Sequence, residues 1–312
     1  MSKSAFVFPG QGAQYVGMAK DITSAFPKLN SLLDRANELL NMDISKLMFE
    51  GPDDRLALTA NTQPAILIAS VLCMIPVLEE GIKPDLCAGL SLGEYTAHVC
   101  SGTFSFEDAV LLVRKRGQYM QEEVPAGVGG MAVATGMNED QLKPCVDEAS
   151  KYGKIYFSNY NCPGQITVSG EISALLKFVE FTEKAGSRKS LMLNVSAPFH
   201  SPMLKGAGEK LYSQMDNISI NPMKFPVVSN VTAEVITDNT IVKELLKKQI
   251  YNPVLWWQSI ENIIEKGIDT FIEIGPGTTL KGLIKKINRN VTVYNINDSE
   301  SLKKTLESLK SI

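Results

Sequence analysis

Ser91 stands between two glycines in Gly89-Leu90-Ser91-Leu92-Gly93, after the segment Asp85-Leu86-Cys87-Ala88 and before Glu94-Tyr95-Thr96-Ala97. A strand that feeds a helix through so short a turn lifts a serine hydroxyl above the sheet, which is the arrangement of a nucleophile elbow. Glycine is required on either side because a Cβ would collide with the folded-back chain. The turn also presents the first free N–H groups of the new helix, starting with Leu92, to the carbon that the hydroxyl attacks. The chemistry implied is acyl transfer or hydrolysis through a serine ester.

A serine hydroxyl is a poor nucleophile at neutral pH unless a base takes its proton. The chain has only two histidines, His98 and His200. His98 follows Ser91 by seven residues on the same expected helix, and at a rise of about 1.5 Å per residue it lies roughly 10 Å away. It reads as a packed helix residue. His200, on the Pro-bounded segment Ala197-Pro198-Phe199-His200-Ser201-Pro202, is left as the base by elimination. No acid occurs in a local pattern that marks it as the partner of the second ring nitrogen, and a backbone carbonyl could serve there instead.

Arg116 supplies the next clue. On a helix from Ser105 to Gln121 it shares a side with Ala109, Leu112, Val113, Tyr119 and Met120, whereas Glu107, Arg114, Gln118 and Gln121 lie opposite, so it points inward. A buried guanidinium stays charged and calls for a nearby carboxylate. That carboxylate is either an internal Asp or Glu, or one on the substrate gripped by two parallel hydrogen bonds.

Two Gly-rich turns follow strands. Phe8-Pro9-Gly10-Gln11-Gly12-Ala13-Gln14 can bring the Gln11 N–H to an oxyanion, and its third glycine is misplaced for dinucleotide binding. Glu273-Ile274-Gly275-Pro276-Gly277 lacks the Gly-Lys-Ser/Thr ending of a phosphate loop and reads as a tight sheet-to-helix turn.

The elements that must position these residues form an α/β pattern. Strands at Ala5 to Phe8, Leu86 to Ala88, Phe225 to Val228, Thr270 to Ile274 and Val291 to Tyr294 alternate with helices, as in a mainly parallel sheet. The rhythm changes between the loop Pro125-Ala126-Gly127-Val128-Gly129-Gly130 and Ala197-Pro198. There the order is strand Met131 to Thr135, helix Glu139 to Ser150, strands Ile155 to Asn159 and Ile166 to Ser169, helix Ile172 to Ala185, and strand Ser190 to Val195. That β-α-β-β-α-β order is ferredoxin-like. The expected organisation is a large α/β domain from residues 1–127 and 197–312 with a small domain, 128–196, inserted into it. The cleft between the two is the natural place for a ligand.

Composition narrows the function classes. The 312 residues are 44% hydrophobic and 21% charged, as in an ordered globular protein. Thirty-one Lys and Arg against 34 Asp and Glu leave a net charge of -3, which points away from nucleic acid. The five cysteines, Cys73, Cys87, Cys100, Cys145 and Cys162, show no Cys-x-x-Cys spacing, so they read as reduced thiols of a cytoplasmic protein and give no metal site. The start, Met1-Ser2-Lys3-Ser4-Ala5-Phe6, lacks the apolar run of a signal peptide. No stretch is expected to span a bilayer: Ala65 to Leu78 is short, contains Pro76 and reads as a buried helix.

Six ordered motifs carry a resemblance that covers essentially the whole chain. They are Phe8-Pro9-Gly10-Gln11-Gly12, Gly89-Leu90-Ser91-Leu92-Gly93-Glu94-Tyr95, Arg116-Gly117-Gln118-Tyr119-Met120-Gln121, Phe199-His200-Ser201, Gln249-Ile250-Tyr251-Asn252-Pro253 and Glu273-Ile274-Gly275-Pro276-Gly277. Together they resemble the acyltransferase family of fatty-acid and polyketide synthesis, and within it the malonyl-CoA:acyl carrier protein transacylases. The resemblance implies a hydrolase-like α/β domain carrying an inserted ferredoxin-like domain. It further implies that Ser91 carries the malonyl ester, that His200 is base and then acid, and that Arg116 binds the malonyl carboxylate. Gln11 and Leu92 would form the oxyanion hole through their N–H groups, and the main-chain carbonyl of Gln249 would orient the histidine.

No cofactor is implied, and malonyl-CoA and acyl carrier protein are the expected partners. Most members have His where this chain has Leu90, and Phe199 before His200 resembles malonyl-selective relatives. Carrier proteins of this pathway are acidic, so the basic residues Lys281, Lys285, Lys286 and Arg289 are a candidate docking face, although charges on a helix are often simply solvated. Rival readings are a serine thioesterase or esterase with the same elbow, and an inactive scaffold that binds carrier protein.

Overall fold

A computed structural model describes residues 3–125 and 127–310. The first two residues of the N-terminal segment and Ala126 in the Pro125 to Gly130 loop lie outside the described residues, as do Ser311 and Ile312. The strands are β1 Ser4–Phe8, β2 Leu86–Gly89, β3 Gly129–Thr135, β4 Ile155–Cys162, β5 Gln165–Glu171, β6 Lys189–Met192, β7 Thr270–Ile274 and β8 Thr292–Ile296. They form two sheets, a parallel one in the order β2-β1-β7-β8 and an antiparallel one in the order β4-β5-β3-β6. The strands of the small sheet are the six-element segment between the two expected boundaries, with helices Glu139–Ala149 and Ile172–Lys184 at the expected places.

The two central strands of the parallel sheet, Ser-Ala-Phe-Val-Phe and Thr-Phe-Ile-Glu-Ile, are buried almost throughout, as strands covered by helices on both faces must be. Phe8 at the end of β1 pairs with Gly89 at the end of β2. The Gln11 turn and the Ser91 elbow therefore leave the sheet side by side at its carboxyl edge, where open α/β sheets bind their ligands.

The expected strand Phe225 to Val228 is reduced to isolated bridges, Val227 with Cys87 and Val228 with Val235. The bridge to Cys87 exchanges both bonds, the Cys87 N–H donating to the Pro226 carbonyl at 2.8 Å and the Val228 N–H to the Cys87 carbonyl at 3.0 Å. It extends no further because Pro226 has no N–H to donate on one side and the Asn230 N–H goes to Glu94 Oε2 on the other. β6 stops at Met192 rather than Val195, and Leu193, Asn194 and Val195 leave the sheet to line a cavity.

Helix Thr59–Glu79 corrects the expectation about length. Its 21 residues, with a mean hydropathy of 1.6 over the most apolar window, are enough to cross a bilayer. The window is 89% buried inside the protein, so this is a core helix packed on helices Leu92–Ser101 and Phe106–Glu122. Gly117 permits one of these contacts, since a Cβ there would stand 2.7 Å from the Thr59 carbonyl oxygen. At the boundary of the small sheet, Gly129 packs against the Pro198 ring, so the chain enters and leaves that unit at one place.

Candidate active site

Ser91 has φ 54° and ψ −105°, a strained conformation for a residue with a side chain. The surrounding packing enforces it. A Cβ on Gly89 would collide with the Gly93 carbonyl, and one on Gly93 with the carbonyl of Phe8. Asn230 holds the turn from outside: its Oδ1 accepts the Ser91 N–H at 2.6 Å and its Nδ2 donates to the Gly89 carbonyl at 2.7 Å. Leu92 is the first residue of the following helix, where an N–H has no carbonyl one turn back. Leu90, the departure from the family pattern, packs at the edge of an apolar cluster and also lines the cavity above the serine.

His200 Nε2 lies 2.7 Å from Ser91 Oγ, and Nδ1 lies 2.7 Å from the Gln249 carbonyl oxygen. A carbonyl can only accept, so Nδ1 carries the hydrogen and Nε2 offers its lone pair to the serine hydroxyl. Burial pushes the His200 pKa down to about 3, the Arg116 charge pushes in the same direction, and the bond to Gln249 opposes both. The imidazole is therefore neutral at physiological pH. Its loop is braced internally, Ser201 Oγ donating to the Pro198 carbonyl at 2.7 Å, and is tied to the small sheet by Ser169 Oγ of β5, which donates to the Phe199 carbonyl at 2.5 Å. His98 is buried on the elbow helix with neither ring nitrogen bonded among the described residues, tilted against Phe104 with ring centroids 5.4 Å apart.

Arg116 points inward as its helix position predicts, and it is 1% exposed. Its guanidinium donates to Gln63 Oε1 at 2.8 Å, to Ser91 Oγ at 3.0 Å and to Gln249 Oε1 at 2.9 Å, and it lies 5.2 Å from the centre of the Tyr95 ring. The carboxylate expected beside it is not in direct contact. Glu94 is one residue removed: its Oε2 accepts from Gln249 Nε2 at 2.6 Å, and Gln249 Oε1 faces the arginine. Burial raises the Glu94 pKa to about 7 against the lowering effects of its hydrogen bonds and of Arg116. The guanidinium thus has an acid nearby without being capped by it, and its Nε has no partner among the described residues.

Gln11, Ser91, Arg116 and His200 face a cavity of about 390 Å³ whose opposite wall includes Asn161 and Thr167 of the small sheet. The structure thus brings together all the expected site residues except the basic four. Gln249 contributes twice, by its carbonyl to His200 and by its side chain to Arg116. Gln63, Glu94 and Asn230 are additions. Glu94 could have been found from its place three residues after Ser91, but Gln63 and Asn230 leave no local signal. Lys281, Lys285, Lys286 and Arg289 are exposed on and just beyond helix Thr279–Ile287, outside the chemistry. Lys285 turns back to its own loop, donating to the Val291 carbonyl at 2.6 Å, and Lys286 donates to Gln165 Oε1 at 3.2 Å. Among the described residues no group of three or more His, Cys, Asp or Glu could hold a metal ion, and the five cysteines are free and buried.

Comparison with known proteins gives a consistent answer. The family model described as "Acyl transferase domain" matches residues 5–304. The malonyl CoA-acyl carrier protein transacylase of Bacillus subtilis is 44% identical over 311 residues, covering 99% of this chain and 98% of that protein. The transacylase of the same name from Clostridium perfringens superposes with a TM-score of 0.94 at 46% identity, over 99% of this chain and 98% of that one. A malonyl-transacylase solved in complex with its type II PKS acyl-carrier protein superposes with a TM-score of 0.96 at 38% identity, over 98% of this chain and 100% of that one. The chain belongs to the acyl transferase family, among its malonyl CoA-acyl carrier protein transacylases.

Proposed function

We propose that this protein moves the malonyl group from malonyl-CoA to the phosphopantetheine thiol of acyl carrier protein, through an ester on Ser91, and so supplies fatty-acid synthesis. The observation that carries the reading is the convergence on one hydroxyl, where Ser91 Oγ meets both His200 Nε2 at 2.7 Å and Arg116 at 3.0 Å. A neutral base and a fixed cation on the same oxygen suit an acyl group that ends in a carboxylate.

In the first half-reaction Ser91 Oγ attacks the thioester carbon while its proton passes to His200 Nε2. The oxyanion is received by the Gln11 and Leu92 N–H groups. Collapse breaks the carbon–sulfur bond, and CoA leaves as a thiol with the proton that His200 held. In the second half the carrier thiol gives its proton to His200 and attacks the ester carbon. Ser91 departs and recovers the proton. The malonyl carboxylate takes over the one Arg116 nitrogen that otherwise reaches Ser91 Oγ, freeing the nucleophile. It also offsets the positive charge that depresses the His200 pKa, so a carboxylated substrate strengthens its own base. Each step uses only these residues and the two substrates, so no cofactor is invoked.

The larger unit, 1–127 and 197–312, is read as a hydrolase-like domain and 128–196 as an inserted ferredoxin-like one; the strand order β4-β5-β3-β6 with its two helices supports this. Docking of an acidic carrier protein is proposed near Lys281, Lys286 and Arg289, with Lys285 partly engaged by its own loop. Thr279 and Leu283 of the same helix line the cavity, which favours that location. A cytoplasmic setting fits the five free cysteines. Incubating the purified protein with malonyl-CoA and holo carrier protein tests the function. Malonyl-carrier product is expected, whereas free malonate without it would assign the protein to the thioesterases.

A further inference from the structure

Three main-chain polar groups of the elbow, the Gly89 carbonyl and the N–H and carbonyl of Ser91, are bonded by two side chains, Asn230 and Gln249. Both converge on one atom. Glu94 Oε2 accepts the Asn230 N–H at 3.1 Å and the Gln249 Nε2 at 2.6 Å. The Gln249 amide can present either end to its surroundings, and the two ends have opposite consequences. With Nε2 toward Glu94 and the Ser91 carbonyl, Oε1 meets the Arg116 guanidinium and every contact joins donor to acceptor. Turned over, an oxygen would face a carboxyl and a carbonyl while an NH2 faced a cation. Glu94 is wholly buried, and no step of the transfer uses it.

We infer that Glu94 is a positioning residue for this reaction, orienting the Gln249 amide and through it aiming Arg116 at the carboxylate of the acyl group. The inference rests on the malonyl-transfer reading above. Because Glu94 acts on the arginine through an amide rather than by a direct ion pair, it holds the guanidinium without competing with the substrate for it. A direct pair would have to be broken each time a malonyl group arrived.

The test compares Glu94→Ala and Glu94→Gln with the parent protein, measuring transfer from malonyl-CoA and from acetyl-CoA together with thermal stability. Glu94→Gln can keep a carbonyl oxygen toward both donors, with its NH2 where Oε1 has no partner. Glu94→Ala should raise KM for malonyl-CoA and lower its kcat/KM by about tenfold or more, with a clearly smaller loss for acetyl-CoA. Glu94→Gln should recover malonyl transfer to within about threefold of the parent. Equal losses with both donors in a folded Glu94→Ala protein would overturn the inference, as would a Glu94→Gln protein no better than Glu94→Ala. Should Glu94→Ala not fold, Glu94→Asp decides, because the shortened carboxylate cannot span both donors and must show the same loss of malonyl preference. Failure of the parent to transfer malonyl would instead remove the functional reading, which separates the two outcomes.

Discussion

Both histidines are buried, and burial pushes both pKa values down to about 3. What separates them is bonding. Each ring nitrogen of His200 has a partner at 2.7 Å, a carbonyl on one side and the nucleophile on the other. Neither nitrogen of His98 has one among the described residues. A depressed pKa therefore does not by itself mark a base, which is recognised by the pair of atoms that fixes its tautomer and its aim.

Substitutions at the two sites should give opposite results. His200→Ala leaves Ser91 without a proton acceptor, and malonyl transfer should fall by about a thousandfold or more. Single-turnover formation of the Ser91 ester, followed by mass spectrometry, checks this; a loss shared by His98→Leu would erase the distinction. Arg116→Ala should cost about a hundredfold in kcat/KM for malonyl-CoA and much less for acetyl-CoA, because only the former offers a carboxylate to the missing fork. The same variant should move the acid limb of the pH–rate profile upward, since the Arg116 charge is one of the two influences that lower the His200 pKa. An unmoved limb would show that burial alone sets it.

Stability offers a milder contrast. A histidine whose folded pKa lies below its unfolded one stabilises the protein above about pH 6.5, and that contribution is lost as pH falls from there toward 3. Glu94 and Glu273, raised by burial from 4.5 to about 7, act in the opposite sense: their contribution is present below pH 4.5 and is lost as pH rises through 7. His98→Leu should remove one of the two histidine contributions and flatten the loss on the acid side. Because it also replaces two unpartnered polar atoms with apolar surface, it should raise Tm at neutral pH by about 2–4 °C without changing transfer. A lowered Tm would show that His98 makes bonds its surroundings do not suggest.

Much of the fold was legible because its signals are local. The six elements between residues 128 and 196 could be ordered from apolar segments and turns, and the parallel strands at either end from runs too apolar for a half-exposed sheet. The expected strand at Phe225 to Val228 shrinks to isolated bridges because apolar content does not reveal how far neighbours can extend a ladder, and Pro226 ends it on one side. The end of β6 was misplaced because Leu193 and Val195 are apolar for a different reason, as cavity wall. The apolar segment Ala65 to Leu78 reads as too short to cross a bilayer and is interrupted by Pro76, yet the helix runs Thr59–Glu79 and contains both Pro64 and Pro76.

The sequence by itself singled out Ser91 as the candidate nucleophile, set His98 out of its reach and turned Arg116 inward, since each reading depends only on turn geometry, helical rise or helical period. Only the tertiary structure decided what completes the site. Asn230 reaches the elbow from 139 residues away, Gln249 joins His200 across 49, and Gln63 meets Arg116 across 53. No periodicity encodes such separations. They arise where the elbow, the segment at Asn230 and three separate helices meet, and there Glu94 reaches the arginine through the Gln249 amide instead of by direct contact.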